Sequence, residues 1–585
     1  MESATKYSIK NLIANALFEA LNASGAAAEL VPSVNNIEEW LETPKNPDMG
    51  DCAFPCFKLA KALRKAPPAI ASELLAKIAK PDGIEKIEAV GGYLNFFAEK
   101  SGTAKHVLES IFAEGAAYGG SAVGTPSAGG EGKNVVVEYS SINIAKPFGI
   151  AHLNTTVIGN SLARIFKHLG YNSVSINHLG DWGTQFGKMI VAYKKWGDRS
   201  VIEKDPVQEF VKLYVRFHEE AEKDPALDDE AREWFCRIER HDPEAWELFT
   251  WFKDETLKDV AKVYDLLGVK FDSYAGESFY EDKMPPIIDE LREKGISKVD
   301  NGATIVDLSE WNMPPCIILK SDGSTIYATR DIAAAEYRKK TYDFSKLLYV
   351  VAYQQNLHFQ QFFKVLELMG REWVKDCVHV NFGMVRMEGM TFSTRKGNII
   401  YLKDVLNASI EKTLEIIKQK SPDLENKEEV ARQVGVGAVI WGVLYNGRIK
   451  DVVFSWDKAL NFDGETGPYA QYTHARCCSV LRKAPAPDTA NIDYSALTDE
   501  YSDALIRALG EFPNAVAAAA EKYEPYLISR SVIEICSCFN RFYFENRIMD
   551  ESPAVMNARL ALTAATASVI KTGLSLVGLE APERM

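Results

Sequence analysis

Three features predict an α/β protein built on a doubly wound parallel sheet, with an inserted helical segment, an N-terminal α+β domain and an all-α C-terminal domain. Between residues 134 and 381 short apolar runs alternate with amphipathic helical stretches, the pattern of successive β-α-β units. Six glycines among Ser, Thr and Pro at 119–133 set this region off from what precedes it. Beyond about residue 403 the patterning is almost wholly helical.

Each element follows in order. From Tyr7 to Leu21, Ile9, Leu12, Ile13, Ala16, Leu17 and Ala20 trace one helical face. Leu59–Leu63 and Ile70–Ile78 are helical too, and Gly91-Gly92 is a turn leading into the strand Tyr93-Leu-Asn-Phe-Phe97, which completes a compact α+β unit over 1–118. After the linker at 119–133 come a strand at Asn134–Glu138, a polar turn, a helix from about Ala151 to Leu169 and a strand at Ser173–Asn177. Residues 198–300 are charge-dense and helix-patterned, with turn signals at Asp205-Pro206, Asp224-Pro225 and Asp242-Pro243, and read as an insertion. Alternation resumes with strands at Ile317–Leu319, Leu347–Val351 and Val378–Asn381 and helices at about Tyr327–Lys340 and Phe359–Met369, the second half of the sheet.

Composition bounds the class. The 585 residues exceed one hydrophobic core. With 46% apolar and 25% charged residues the chain is an ordinary globular one. The net charge of −14 means that a nucleic-acid partner would have to meet locally basic surface. Nine scattered cysteines lack zinc-type C-x-x-C pairs, so no structural zinc is expected and a reducing compartment fits. The longest apolar stretch, near Gly435–Tyr445, is about half the roughly 20 residues that span a bilayer. Met1-Glu-Ser-Ala-Thr-Lys6 lacks the marks of a secretory signal. A cytoplasmic protein without a membrane partner is the expectation.

The usual phosphate-binding loops and the H-E-x-x-H zinc helix are absent. The turn Ser140–His152 instead lies between a strand and the next helix, where helix-terminal N–H groups and a nearby Lys or His meet an anion. On composition alone a helix start with a capping histidine is as good a reading.

Glu138-Tyr-Ser-Ser-Ile-Asn-Ile-Ala-Lys-Pro-Phe148, His178-Leu-Gly-Asp-Trp-Gly-Thr-Gln-Phe-Gly187, Tyr327-Ala-Thr-Arg-Asp331 and Ala581-Pro-Glu-Arg-Met585 together resemble the arginyl-tRNA synthetases, which are class I aminoacyl-tRNA synthetases. The resemblance runs nearly end to end. It implies an additional tRNA-elbow (D-loop) domain at 1–118 and a Rossmann-like catalytic domain at 134–402 with the insertion at about 198–300. It further implies a helical connecting region at 403–460 and a helical anticodon-binding domain of the DALR type at 461–585. The implied activity is ATP-dependent activation of L-arginine and transfer to the 3′ end of tRNA(Arg), with Mg²⁺ accompanying ATP and the protein acting as a monomer.

The resemblance also assigns residues. Glu138, Asn143, Tyr327, Asp331 and Gln355 would bind arginine, which suits a guanidinium with five donors and no acceptor. Taken singly, Asp331 fits an N-cap, Tyr327 a buried tyrosine and Gln355 a loop residue. His152 and Lys146 would stabilise phosphate charge, and Gly149, Ala151, His152, Ser393, Thr394, Arg395 and Lys396 would line the ATP site. Both nucleotide signatures depart from the class I pattern. Gly149-Ile-Ala-His152 keeps only the last histidine of His-Ile-Gly-His, and Thr391-Phe-Ser-Thr394 lacks both lysines of Lys-Met-Ser-Lys, for which Lys146 would compensate. Asp181 and Gln185 suit structural roles as well as the rim of the site.

Tyr469, Tyr472 and Arg476 are the tRNA-binding candidates, although tyrosines at helical spacing equally fit a core. Residues 461–585 carry 11 Lys/Arg against 16 Asp/Glu, so shape and stacking must outweigh simple attraction there. Two rivals remain at this level: a class I synthetase of other specificity, and a synthetase-like RNA-binding or regulatory protein impaired in ATP activation.

Overall fold

The computed structural model describes residues 9–24, 31–44, 46, 49–81, 83–120, 130–144, 146, 148–388, 400–549 and 552–585. The chain divides into two compact units, one made of 130–475, 518–533 and 573–585 and the other of 1–129, 476–517 and 534–572.

At the centre of the first unit, strands β1 (Asn134–Glu138), β2 (Asn172–Ile176), β3 (Phe344–Tyr349) and β4 (Cys377–His379) form a wholly parallel sheet in the order β4-β3-β1-β2. Helix α1 (Leu153–His168) connects β1 to β2, α2 (Tyr327–Tyr342) precedes β3, and α3 (Asn356–Leu368) connects β3 to β4. The chain leaves β1 for β2 on one side and returns for β3 on the other. That makes the gap beyond Glu138 and Tyr349 the switch point, where a doubly wound sheet opens a ligand crevice.

Alternation along β1 sends Val135 and Val137 to one face and Val136 to the other, all fully buried. Val136 joins Ile176, Leu347 and Tyr349 in a core with Ile332 and Ala335 of α2 and Phe362, Val365 and Leu366 of α3. Each such large apolar side chain contributes about 1.5–3 kcal/mol on burial, so α2 and α3 are firm bases for whatever their N-terminal turns present to the crevice.

Between β2 and α2 lie the helices Arg199–Ile202, Pro206–Ala221, Ala226–Glu239, Pro243–Leu267 and Met284–Glu293. The Asp-Pro signals do start helices: Pro206 and Pro243 occupy first-turn positions, and the Asp242 side chain accepts from Ala245 N at 3.2 Å. One expectation is corrected here. The strand at Ile317–Leu319, observed as Cys316–Leu319, is not part of the parallel sheet; it pairs antiparallel with Ala303–Val306 in a separate three-stranded sheet with Ser297–Asp300. Asn301 and Gly302, both at positive φ, turn the Ser297–Val306 hairpin and give the third strand its edge. The region beyond residue 403 is almost wholly helical, as its patterning predicts; among the described residues Val452–Phe454 is the exception and pairs in parallel with Val385–Met387. Three residues are too few to show a period.

In the second unit the strands Cys52–Pro55, Tyr93–Ala98 and Ile84–Val90 form an antiparallel sheet with Tyr93–Ala98 central. Phe54, Leu94 and Phe96 pack with Leu17, Ile37 and Leu74 from the helices. Arg507 pairs with Asp51, and the Tyr118 hydroxyl donates to Leu509 O at 3.1 Å, joining this α+β part to the helix Glu500–Lys522. Among the described residues no helix is long and apolar enough to cross a membrane.

Candidate active site

Beyond β1 the backbone turns sharply: Ser140 and Ser141 both adopt positive φ, 69° and 46°. This left-handed pair is costly for residues bearing a Cβ, and buried hydrogen bonds hold it. Ser140 N donates to Thr155 Oγ1 at 3.0 Å, and Ser140 Oγ lies 2.9 Å from Thr156 Oγ1 and 2.7 Å from the Tyr264 hydroxyl. The bend delivers Asn143 to Gly180, with which it forms a bridge flanked by Ile144 N→Gly180 O at 3.1 Å and Gly180 N→Ile142 O at 2.8 Å. A Cβ at 180 would stand 2.2 Å from Asn143 Oδ1, so only glycine admits that amide. Asp181, fully buried, accepts from Lys253 Nζ at 2.6 Å and from Ser278 N and Oγ at 2.9 and 2.7 Å. Its role is to hold the segment that carries Glu277.

On the α2 side, Tyr327, Asp331 and Arg338 share one face of the helix. The helix starts at Tyr327 with Ile326 as N-cap, which rules out a capping role for Asp331, and Tyr327 is 53% exposed and so no core tyrosine. Asp331 Oδ2 lies 2.7 Å from His358 Nε2, and the His358 ring also meets Tyr327 edge-on with centroids 4.7 Å apart. Enclosure pushes the Asp331 carboxyl up, but the His358 hydrogen bond and the positive charges of His358, His178 and Arg338 together hold it below the usual carboxylate range.

Glu138, at the end of β1, is already partnered: its Oε2 lies 2.5 Å from Nη1 of the fully buried Arg338. Burial alone would favour a neutral guanidine, yet the charge of Glu138 keeps Arg338 firmly protonated. Arg338 Nη2 also lies 3.2 Å from His178 Nδ1, and the His178 ring stacks on Tyr280.

Two of these side chains escaped the sequence reading. Arg338 sits in the run Tyr-Arg-Lys-Lys340, which reads as solvated surface. Glu277, whose Oε1 lies 3.6 Å from Arg330 Nε, has its carboxyl raised chiefly by burial, against the pull of Arg330 and His178 and with the like charges of Asp331 and Asp181 adding. A carboxyl raised by burial beside a second acid marks a place suited to a cation. Only its linkage to Asp181, a tertiary fact, reveals it.

At the far end of the Ser140–His152 segment, a 3-10 turn at Ile150–His152 opens α1. Gly149 bridges Tyr401, Ile150 N donates to Ile400 O at 3.1 Å and Leu402 N to Phe148 O at 3.0 Å. His152 Nδ1 is 3.3 Å from the Gly149 carbonyl, which can only accept, so Nδ1 carries the hydrogen. Burial holds the imidazole below its usual range, opposed by that hydrogen bond and reinforced by the charge of Lys146. Lys146 and Ala151 are exposed. Ser393, Thr394, Arg395 and Lys396 lie outside the described residues.

Thus Tyr327 and Asp331 are brought together through His358, Glu138 is joined to their helix through Arg338, and Lys146 lies within electrostatic reach of His152. Asn143 and Gln355 are exposed, and among the described residues no contact links either of them directly to Tyr327 or Asp331. Of the RNA-facing candidates, Tyr472 is 41% exposed and Tyr469 half-buried. The Arg476 guanidinium stands 5.5 Å from the Tyr543 ring centre and donates to Asn540; Phe544, which follows Tyr543 in the chain, is 85% exposed. No group of three or more His, Cys, Asp or Glu among the described residues is arranged to hold a metal ion.

Comparison with known proteins agrees with this geometry. Residues 121–456 match the family described as tRNA synthetases class I (R), catalytic domain; 470–585 match the DALR anticodon binding domain; and 8–98 match the arginyl tRNA synthetase N terminal domain. An arginine–tRNA ligase of Halothermothrix orenii is 54% identical over 553 residues, 94% of this chain and 97% of its own, and one of Clostridioides difficile is 54% identical over the same shares. The fold is similar to that of an arginyl-tRNA synthetase of Thermus thermophilus, with a TM-score of 0.76 at 24% identity over 99% of this chain and 100% of that one. An arginyl-tRNA synthetase of Plasmodium falciparum gives 0.80 at 21% identity over the same shares. A doubly wound parallel sheet and these end-to-end matches have one reading: the chain belongs to the arginyl-tRNA synthetase family of class I aminoacyl-tRNA synthetases.

Proposed function

We propose that this protein is an arginine–tRNA ligase that uses MgATP to activate L-arginine and then esterifies tRNA(Arg). The observation that carries the reading is the Tyr327–His358–Asp331 cluster, which presents a carboxylate with one oxygen already engaged at the mouth of the crevice. The substrate guanidinium, all donors, is met by the remaining Asp331 oxygen, the Tyr327 hydroxyl and the Glu277 carboxylate. Glu138, its charge balanced by Arg338, accepts from the substrate through its second oxygen, while Asn143 and Gln355 contact the amino-acid end.

One arginine carboxylate oxygen attacks the α-phosphorus of ATP and pyrophosphate departs. The terminal 2′-hydroxyl of tRNA then attacks the acyl carbon and AMP departs. Both steps rest on alignment and on charge stabilisation. Lys146 and His152 act on phosphate charge, and Gly149, Ala151, Ser393, Thr394, Arg395 and Lys396 complete the set of ATP-binding residues. Residues 1–118 would meet the tRNA elbow and 461–585 the anticodon, with Tyr469, Tyr472 and Arg476 in contact and Tyr543 added to them by its place under Arg476. The protein acts as a monomer, and the activity serves cytoplasmic translation.

The test is a charging assay with labelled arginine, MgATP and total tRNA. Charged tRNA is expected. The arginine KM should rise at least about tenfold in Asp331→Asn, the loss of a charged hydrogen bond, and turnover should fall about 10²–10³-fold in Lys146→Ala. Binding of tRNA without any charging would overturn the proposal in favour of a synthetase-like RNA-binding protein.

A further inference from the structure

We infer that His358 is a positioning residue for arginine selection, holding Asp331 and Tyr327 in the one arrangement that receives a guanidinium. This rests on the reading of Asp331 as the guanidinium anchor. His358 is the described side chain that touches both residues: its Nε2 lies 2.7 Å from Asp331 Oδ2, and its ring meets Tyr327 edge-on at 4.7 Å and 74°. The ring is itself gripped. It lies nearly parallel to Phe362, at 8° and 6.0 Å, and packs against Phe359 at 5.2 Å, and both phenylalanines are buried in the core. His358 is 9% exposed.

An aspartate on a helix face has two soft torsions, and free in a wet crevice it would sample several orientations. Donation from Nε2 to Oδ2 removes that freedom and leaves Oδ1 for the substrate. The ring does this through one N–H from a side chain packed against the core, whereas a lysine or arginine in its place would bring a permanent charge on a flexible stem. Because Gln355 is the N-cap of α3, the same turn that carries Gln355 fixes the acid on α2. The two sides of the pocket are therefore set by one helix N-terminal turn, and arginine affinity depends on a group that does not touch arginine.

The experiment compares His358→Phe, His358→Gln and Asp331→Asn in the full-length protein by steady-state aminoacylation, varying arginine and ATP separately. His358→Phe keeps the ring packing and removes the donor. Its arginine KM should rise about tenfold, the loss of one hydrogen bond to a charged group, with the ATP KM unchanged. His358→Gln, whose amide nitrogen reaches about where Nε2 was, should restore most of the loss. In an Asp331→Asn background His358→Phe should add little, since the two act through one contact. If Asp331→Asn raises the arginine KM but His358→Phe does not, the inference is overturned and the anchor stands. An unchanged arginine KM in Asp331→Asn overturns the anchor itself. Equal rises in the arginine and ATP KM values, without rescue by glutamine, would reduce His358 to a packing residue and overturn the inference.

Discussion

Arg338 is a cation with no solvent, and its worth lies in what it prevents. Glu138 is only 7% exposed, so removing its partner leaves a buried carboxylate uncompensated. Breaking such a pair from one side typically costs about 3–5 kcal/mol, whereas replacing both members is far milder. Arg338→Met should therefore destabilise the chain by about that amount, and Glu138→Gln with Arg338→Met should recover part of it; denaturant titration of the two variants beside the unsubstituted protein checks this. His152 makes a pH prediction. Burial, more than the charge of Lys146, depresses its proton affinity below the usual 6.5, so in the free protein it is neutral near pH 7, with the hydrogen on Nδ1 and Nε2 left as an acceptor. A triphosphate can only accept, so binding it favours the imidazolium. Affinity for MgATP is then highest in acid and declines as pH rises through the free-protein value toward the higher value of the complex. Calorimetry between about pH 6 and 8, in buffers of different protonation enthalpy, should detect proton uptake, and His152→Gln should abolish it.

At the scale of elements, the segment around 178–187 works as a joint and not as a ligand-binding loop. Gly180 admits the Asn143 amide, and Asp181 clasps Lys253 and Ser278, so the loops bearing Asn143 and Glu277 meet on consecutive residues. Gly180→Ala puts a methyl 2.2 Å from Asn143 Oδ1, and the exposed amide must yield before the buried backbone does. A displacement of that order can lower kcat/KM by up to about a hundredfold; thermal unfolding should hardly shift. What could be read beforehand follows the same logic. β1 was legible to the residue because a central parallel strand is a continuous apolar run, and α2 and its acid because Tyr327 and Asp331 stand one turn apart. The separate sheet of Cys316–Leu319 was not, since an apolar run does not say which sheet it joins, although Asn301-Gly302 advertised the hairpin before it. Arg338 and Glu277 stayed hidden for a deeper reason: a buried charge looks like a surface charge until its partner, 200 and 53 residues away in Glu138 and Arg330 respectively, is in place.

For the molecule as a whole, a net charge of −14 and an acidic C-terminal region mean that RNA affinity does not come from bulk attraction. It must come from local arginines and from aromatic faces, for which Tyr472 at 41% exposure is the proposed example. Stacking on one aromatic side chain is worth about 1–3 kcal/mol. Tyr472→Ala should accordingly raise the KM for tRNA while leaving that for arginine untouched, as initial rates with either substrate limiting will show.

The left-handed serines after β1 set durability against turnover. Two residues with a Cβ held at positive φ store about 1–3 kcal/mol each, more than the roughly 0.5–1 kcal/mol by which glycine's extra freedom favours the unfolded chain. Ser141→Gly should therefore melt at a higher temperature and charge tRNA more slowly, a sturdier protein with a blunter tool. Breeding this enzyme for heat alone would erode the very bend that gives Asn143 its aim.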